Sequence, residues 1–326
     1  MAFASLWWLF LLQFIATFAL SFAFIPTAGH KFMENGLSGV DYHRAEETKI
    51  PESLGLVVGM IFILSVVAFS PLLGMQVNLI YTSLLAISSA LLLGFMDDVL
   101  NVRWRYKLLI PLVSAIPLIV NYAGETAISL PLFGVVELGL VYTWLLIPTM
   151  TVYMANAINI YAGINLLEVG QSIVLGGAVL LLGVLTERLF SVFMMTPFLA
   201  ASLALAYYNR YPARVFVGNS YTYFSGMCII VTSILSNMEK IIILCTIPQF
   251  LNFIYSMKDF LGECPQHRLP AFNKETGLLH DSHYSTLLNL ILRIFGPQSE
   301  KRLVYTLISI QVVVSAIVLS WWYFLP

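Results

Sequence analysis

Asp97 and Asp98 stand side by side in GFMDDVLNVRWRYK (residues 94–107), just ahead of Arg103, Arg105 and Lys107. Carboxylates hold a divalent cation such as Mg²⁺, and a nearby lysine neutralises phosphate oxygen, so this cluster suits phosphate chemistry. The plainer alternative is a charge cluster that only marks a membrane interface. Adjacent helical residues point about 100° apart, so the two carboxylates are expected to do different jobs.

Three further clusters call for an explanation. Asn156, Asn159 and Asn165 interrupt NAINIYAGINLLEVGQS (156–172) just after an apolar run. Asn156 and Asn159, three apart, share a helix face. Amide oxygens ligate Mg²⁺, and Gly163 and Gly170 allow backbone to approach a ligand; otherwise the amides satisfy each other or loose carbonyls. In NRYPARVFVGNSYTYFSG (209–226), Phe216 offers a ring to stack on a base, or else an interfacial aromatic. In ECPQHRLPAFNKETG (263–277), His267 and Arg268 suit a diphosphate, Arg through its planar fork, unless the loop is merely solvated. His267, His280 and His283 show no zinc spacing.

The elements that must position these residues are apolar. Of 326 residues 59% are hydrophobic and only 10% charged, against about 25% charged in an ordinary soluble domain. Mean hydropathy is +0.87. A net charge of −1 gives no field to attract nucleic acid, and three cysteines without ligand spacing exclude a disulfide scaffold. A spanning helix needs roughly 20 mostly apolar residues. Ten stretches are expected to form such helices: 4–25, 54–74, 78–96, 107–122, 139–156, 171–186, 190–208, 222–236, 240–257 and 302–324. The first lacks the basic flank and short apolar core of a signal peptide. Residues 284–296 are amphipathic and expected at the interface, and alternation over 125–138 suits a small hairpin. The expected architecture is thus an all-α polytopic membrane protein of about ten transmembrane helices, one domain over 1–326, with 258–301 a cytosolic loop belonging to it.

Basic residues orient the chain. If loops are numbered after the helices they follow, the even ones hold only Arg188 and Lys240, and the other 14 of the 16 Lys and Arg belong to odd loops. The positive-inside rule puts the odd loops in the cytosol. All four polar clusters then share the cytosolic face. An acidic, amide-rich and basic pocket walled by apolar helices suits a charged soluble co-substrate and a lipid.

The motifs IPESLG (50–55), GFMDDVLNVRWRYK, NAINIYAGIN (156–165), RVFVG (214–218), IPQFLNFIYS (247–256) and HRLP (267–270) occur in this order along nearly the whole chain. Together they resemble the polyprenyl-phosphate N-acetylhexosamine-1-phosphate transferase superfamily, and within it the eukaryotic UDP-N-acetylglucosamine–dolichyl-phosphate N-acetylglucosaminephosphotransferases. The resemblance implies transfer of GlcNAc-1-phosphate from UDP-GlcNAc to dolichyl phosphate, with release of UMP, at the cytosolic face of the endoplasmic reticulum membrane. This is the first step of lipid-linked oligosaccharide synthesis for N-glycosylation. It also implies ten helices, a homodimer, dependence on Mg²⁺ and inhibition by tunicamycin.

By the same resemblance Asp97, Asp98 and Lys107 are catalytic. The acids act either as base for the acceptor phosphate or as organisers of Lys107, with positioning and electrostatics favoured, and Lys107 holds a phosphate. Asn159 and Asn219 ligate Mg²⁺. Asn156 and Asn165 form the nucleotide pocket, Phe216 stacks on uracil, and Trp104, His267 and Arg268 line the sugar-diphosphate region. Glu52 belongs to a loop that closes over the site. Two positions depart from the family pattern: Asn219 stands where Asp is usual, and Gln266 where Arg is common. Asn219 removes a formal charge facing a divalent cation, so the alternative is an attenuated or silent homologue that still binds nucleotide sugar.

Overall fold

The computed structural model describes residues 6–44, 48–107, 109–122, 124–130, 134–260 and 269–324. Helices run through every one of the ten apolar stretches, because a continuous apolar run can satisfy its backbone only internally when lipid surrounds it. They are α1 (Trp7–Glu34), α2 (Gly55–Phe69), α3 (Val77–Leu100), α5 (Ile110–Asn121), α6 (Ile147–Ile160), α7 (Leu167–Leu185), α8 (Leu189–Asn209), α9 (Gly218–Leu235), the pair α10 (Glu239–Cys245) and α11 (Ile247–Phe260), and α13 (Glu300–Phe324). A π-helical segment, Tyr142–Leu146, leads into α6. A single turn, α4 (Trp104–Lys107), precedes α5, and α12 (Leu287–Phe295) precedes α13.

Among the described residues five helices, α1, α3, α7, α8 and α13, are long and apolar enough to cross a bilayer, and α10 with α11 makes a sixth if the pair, bent by 59°, is one span. Helices α2 and α5 are apolar but only 15 and 12 residues long. The surface supports a lipid surround. Trp7, Ile15, Leu64, Leu85, Val120 and Ile317 are exposed, while Gln13, Thr17, Ser83, Thr151, Ser202 and Thr232 are buried. Apolar outside and polar inside is the arrangement a hydrocarbon solvent selects.

Three antiparallel two-stranded hairpins lie between the helices: β1 (Ser38–Asp41) with β2 (Thr48–Pro51), β3 (Ala127–Leu130) with β4 (Gly134–Glu137), and β5 (Ala271–Asn273) with β6 (Leu278–His280). Only β3–β4 is legible as alternation in the sequence; the other strands are too short to show a period. The amphipathic stretch expected at the interface is α12, capped by Thr286, whose Oγ1 accepts the Asn289 N–H at 3.2 Å. Leu288 and Leu292 face inward, and Ile294 and Phe295 outward.

Helix α9 is the axis of the bundle. Every residue from 220 to 234 is buried, and α2, α3, α6 and α8 pack around it. Small residues set how close these helices come. A Cβ on Gly94 would lie 2.5 Å from the Asn219 carbonyl oxygen, and one on Gly226 would lie 2.7 Å from the Ala155 Cα. Backbone approach of this kind is how helices gain dispersion contact where burial from water contributes nothing.

A glutamine relay ties the far side together. Gln249 of α11 donates to the Gln171 Oε1 of α7 and to the Gln311 Oε1 of α13, each at 2.7 Å. Gln311 in turn donates to the Cys245 carbonyl at 2.8 Å, at the break between α10 and α11, and to Ser315 at 3.1 Å. All three glutamines are at most 1% exposed. Gln249→Leu should therefore lower the unfolding free energy by about 1–3 kcal/mol, the usual effect of orphaning buried polar partners. Thermal unfolding in detergent checks this; an unchanged melt would mean that packing alone holds α11.

Candidate active site

Helix α9 begins at Gly218, whose φ of +73° lies in the left-handed region. A Cβ there would sit 2.4 Å from the Asp98 Oδ2 and 2.8 Å from the Ser53 Cα, so only glycine fits. The vacated space lets Asp98, in the last turn of α3, reach across to α9. Its Oδ1 accepts the Asn219 N–H at 2.6 Å and its Oδ2 the Ser220 N–H at 3.1 Å. A carboxylate here satisfies donors that the first helical turn leaves free and sits at the positive end of the helix dipole. The IPESLG segment closes the same corner: Phe216 N–H donates to the Pro51 carbonyl at 2.7 Å, and Gly55 N–H to that of Val217 at 2.9 Å. Motifs more than 150 residues apart in the sequence thus form one joint.

Asp97 points elsewhere. Its Oδ1 pairs with the Lys107 Nζ at 2.9 Å and accepts the Val102 N–H at 3.1 Å. The Asp97 side chain is fully buried, while that of Lys107 keeps 24% of its surface exposed. The pair therefore holds a partly exposed cation one residue along from the Asp98 joint. The adjacent carboxylates thus make different contacts, Asp98 with the head of α9 and Asp97 with Lys107.

A cavity of about 410 Å³ opens beside this joint. Glu52, Asn159, Asn165, Phe216 and Asn219 all line it. Asn159, in the last turn of α6, donates from Nδ2 to the Asn219 Oδ1 at 2.6 Å and to the Thr222 Oγ1 at 2.8 Å. The two residues expected to ligate a metal are thus adjacent. Asn156 is not among the cavity's lining residues. It donates to the Val152 carbonyl at 2.8 Å and lines a second, apolar groove of about 480 Å³ with Leu109, Leu112, Trp144, Leu145 and Phe253. Asn156 and Asn159 are three positions apart, yet they reach different spaces because each is drawn to a different neighbour. Trp104 lies in α4, its side chain outside the described set; His267 and Arg268 also lie outside the described residues.

Sequence reasoning missed a buried group on the far wall. Asp41 at the end of β1 and Glu300 in the first turn of α13 are 3% and 4% exposed. The Asp41 Oδ2 accepts from the Arg44 Nε at 2.8 Å and the Asn165 Nδ2 at 3.2 Å, and the Glu300 Oε1 accepts the Asn165 N–H at 2.7 Å. Arg44 also donates to the Ala213 carbonyl. His43 Nδ1 lies 3.8 Å from the Glu300 Oε2. One signal was available: an acid opening an apolar span, as Glu168 and Glu300 do, rarely sits at membrane depth without a partner.

Among the described residues two donor sets could meet a cation. Asp41, His43 and Glu300 place ligand atoms within 4.8 Å of one another, but Arg44 already neutralises Asp41 and both acids bind Asn165. Asn159 and Asn219 offer neutral oxygens beside a space large enough for a diphosphate. Mg²⁺ binds through one or two protein groups plus substrate phosphates, so this second set fits a cation that arrives with its substrate.

Residues 80–237 match the glycosyl transferase family 4 profile. A Dictyostelium discoideum protein is 38% identical over 337 residues, spanning 89% of this chain and 82% of that one. A Schizosaccharomyces pombe protein is 33% identical, spanning 82% and 71%, and a Saccharomyces cerevisiae protein 32%, spanning 88% and 84%. All three bear the name UDP-N-acetylglucosamine–dolichyl-phosphate N-acetylglucosaminephosphotransferase.

Glu52 yields a test of the electrostatics. Burial first, and the charge of Asp98 second, raise its carboxyl above the usual glutamate range. A raised folded pKa stabilises below the unfolded value of about 4.5, and that contribution is lost as pH rises through the folded value. Glu52 therefore lowers stability once the pH rises above that range. Glu52→Gln should raise the melting temperature at pH 7, with the gain vanishing at pH 4. A gain that is equal at both values would reject this account.

Proposed function

We infer the activity from a plain premise: this chain belongs to the UDP-N-acetylglucosamine–dolichyl-phosphate N-acetylglucosaminephosphotransferase family. It transfers GlcNAc-1-phosphate from UDP-GlcNAc to dolichyl phosphate and releases UMP. The observation that best supports this reading is a pair of unlike spaces on either side of the end of α6. Asn159 faces a polar cavity, and Asn156 faces an apolar groove. A charged nucleotide sugar suits the first and a polyprenyl chain the second. Leu109 is 62% and Trp144 65% exposed, so the groove lies open to lipid.

In the reaction an oxygen of dolichyl phosphate attacks the β-phosphorus of UDP-GlcNAc. The bond from that phosphorus to the bridging oxygen breaks, and UMP departs with the electron pair. No net proton transfer is needed from an ionised acceptor, so positioning and charge do most of the work. Lys107, held by Asp97 and two residues from Leu109 of the groove, neutralises the acceptor phosphate. Asp98 keeps α9 and Asn219 in place. Phe216 offers a stacking face to the base. Mg²⁺, with Asn159 and Asn219 among its ligands, would spread the charge that develops on the diphosphate.

Further readings are supported by the sequence. Ten spans with cytosolic active-site loops follow from the ten apolar helical stretches and the loop charge asymmetry. Residence in the endoplasmic reticulum membrane, homodimer formation and tunicamycin sensitivity follow from the family resemblance. Asn219 favours an attenuated form of the same activity, because its oxygen is neutral and already accepts from Asn159.

One transfer assay separates these readings. Labelled UDP-GlcNAc, dolichyl phosphate and Mg²⁺ should give dolichyl-diphosphate-GlcNAc and UMP; no product at any Mg²⁺ concentration overturns the activity. Asn219→Asp should raise turnover at limiting Mg²⁺ roughly tenfold or more, the effect of one formal charge close to a cation in a desolvated site. Equal rates would dismiss attenuation.

A further inference from the structure

Hydrogen bonding divides the cavity walls into two unlike groups. Asn159, Asn219 and Thr222 gather at the start of α9, with neutral donors and acceptors beside a helix N-terminus. Asp41 and Glu300 instead gather around Asn165. On the nucleotide-sugar reading, on which this inference rests, the family resemblance puts Asn165 in the nucleotide pocket, beside the base.

A side-chain amide can turn either its oxygen or its nitrogen toward a ligand, and only its partners decide which. Here the decision is forced. The Asp41 carboxylate can only accept, so Asn165 must present Nδ2 to it, at 3.2 Å. Asp41 is itself held on both oxygens, by the His43 N–H at 3.2 Å and the Arg44 Nε at 2.8 Å. The Asn165 backbone is anchored by Glu300 at 2.7 Å. What remains is Asn165 Oδ1, which takes no hydrogen bond among the described residues on a side chain that lines the cavity.

We propose that Asp41 is a positioning residue that locks the Asn165 amide with its oxygen toward the base, and so selects uracil over cytosine. Uracil carries a hydrogen on N3 and donates to that oxygen. Cytosine in the same pose turns a lone pair on N3 toward it. A site built to accept an N–H discriminates strongly against an analogue lacking it, because the acceptor is left unpaired.

The test compares UMP and CMP binding to the purified full-length protein in detergent, with melting temperature as a check on folding. Wild type should prefer UMP. Asp41→Asn, which lets the Asn165 amide present either end, should shrink the UMP-to-CMP affinity ratio by on the order of tenfold. Asp41→Glu, still acceptor-only, should restore at least part of it. A merely structural role would weaken both ligands alike and leave the ratio unchanged; that result, in a folded Asp41→Asn protein, overturns the proposal and leaves the nucleotide reading intact. Wild type that binds neither nucleotide overturns both. Should Asp41→Asn not fold, Asn165→Ser, whose hydroxyl donates as well as accepts, must lower the same ratio, and an unaltered ratio again overturns the proposal.

Discussion

The carboxylate of Asp98, hydrogen-bonded to two backbone N–H groups at the head of α9, is the contact on which the rest of the site depends. Helix α9 is buried along nearly its full length, and its first turn leaves backbone N–H groups without an intrahelical partner. An acid from a neighbouring helix satisfies two of them, at the positive end of the helix dipole. The joint fixes the end of α3 against the start of α9. It thereby places Asn219 opposite Asn159 and leaves Asp97, one residue away, free to hold Lys107. Gly218 is the condition for the joint, since any side chain would displace the carboxylate.

Charge around the cavity is arranged by solvation. Lys107 is tethered to a buried carboxylate yet keeps part of its surface open, so it can meet a second anion without losing the first. The Asn159 and Asn219 end is neutral, which lets an anionic substrate approach. Around Asn165, Asp41 and Glu300 are buried but engaged with Arg44 and Asn165 itself. They are costly groups to bury singly and are tolerated because each has a fixed partner.

The bundle is held by means that suit hydrocarbon. Apolar burial from water contributes little between helices there, so close backbone approach at Gly94 and Gly226 and buried polar contacts take its place. The Gln171, Gln249 and Gln311 relay sits where α10 and α11 bend, and it covers a carbonyl that the break sets free. The bend and the relay are two sides of one local requirement, that no backbone group face lipid unpaired.

Much of this was legible in the residues alone. Hydropathy is a local property, so each apolar stretch announced its own helix, and α12 and the β3–β4 hairpin showed in their periodicity. The motifs identified Glu52, Asn159, Asn165, Phe216 and Asn219, which meet at one cavity. Tertiary structure decided what depends on neighbours distant in sequence. Asn156 and Asn159 share a helix face, but only packing against α5 and α9 sends one to an apolar groove and the other to a polar cavity. Asp41 and Glu300 carried no motif, and 259 positions separate them; their meeting at Asn165 exists only once β1 and α13 are folded together. Residue type sets which hydrogen bonds are possible. Long-range packing sets which of them are made, because a buried polar group takes whichever partner the fold brings within reach.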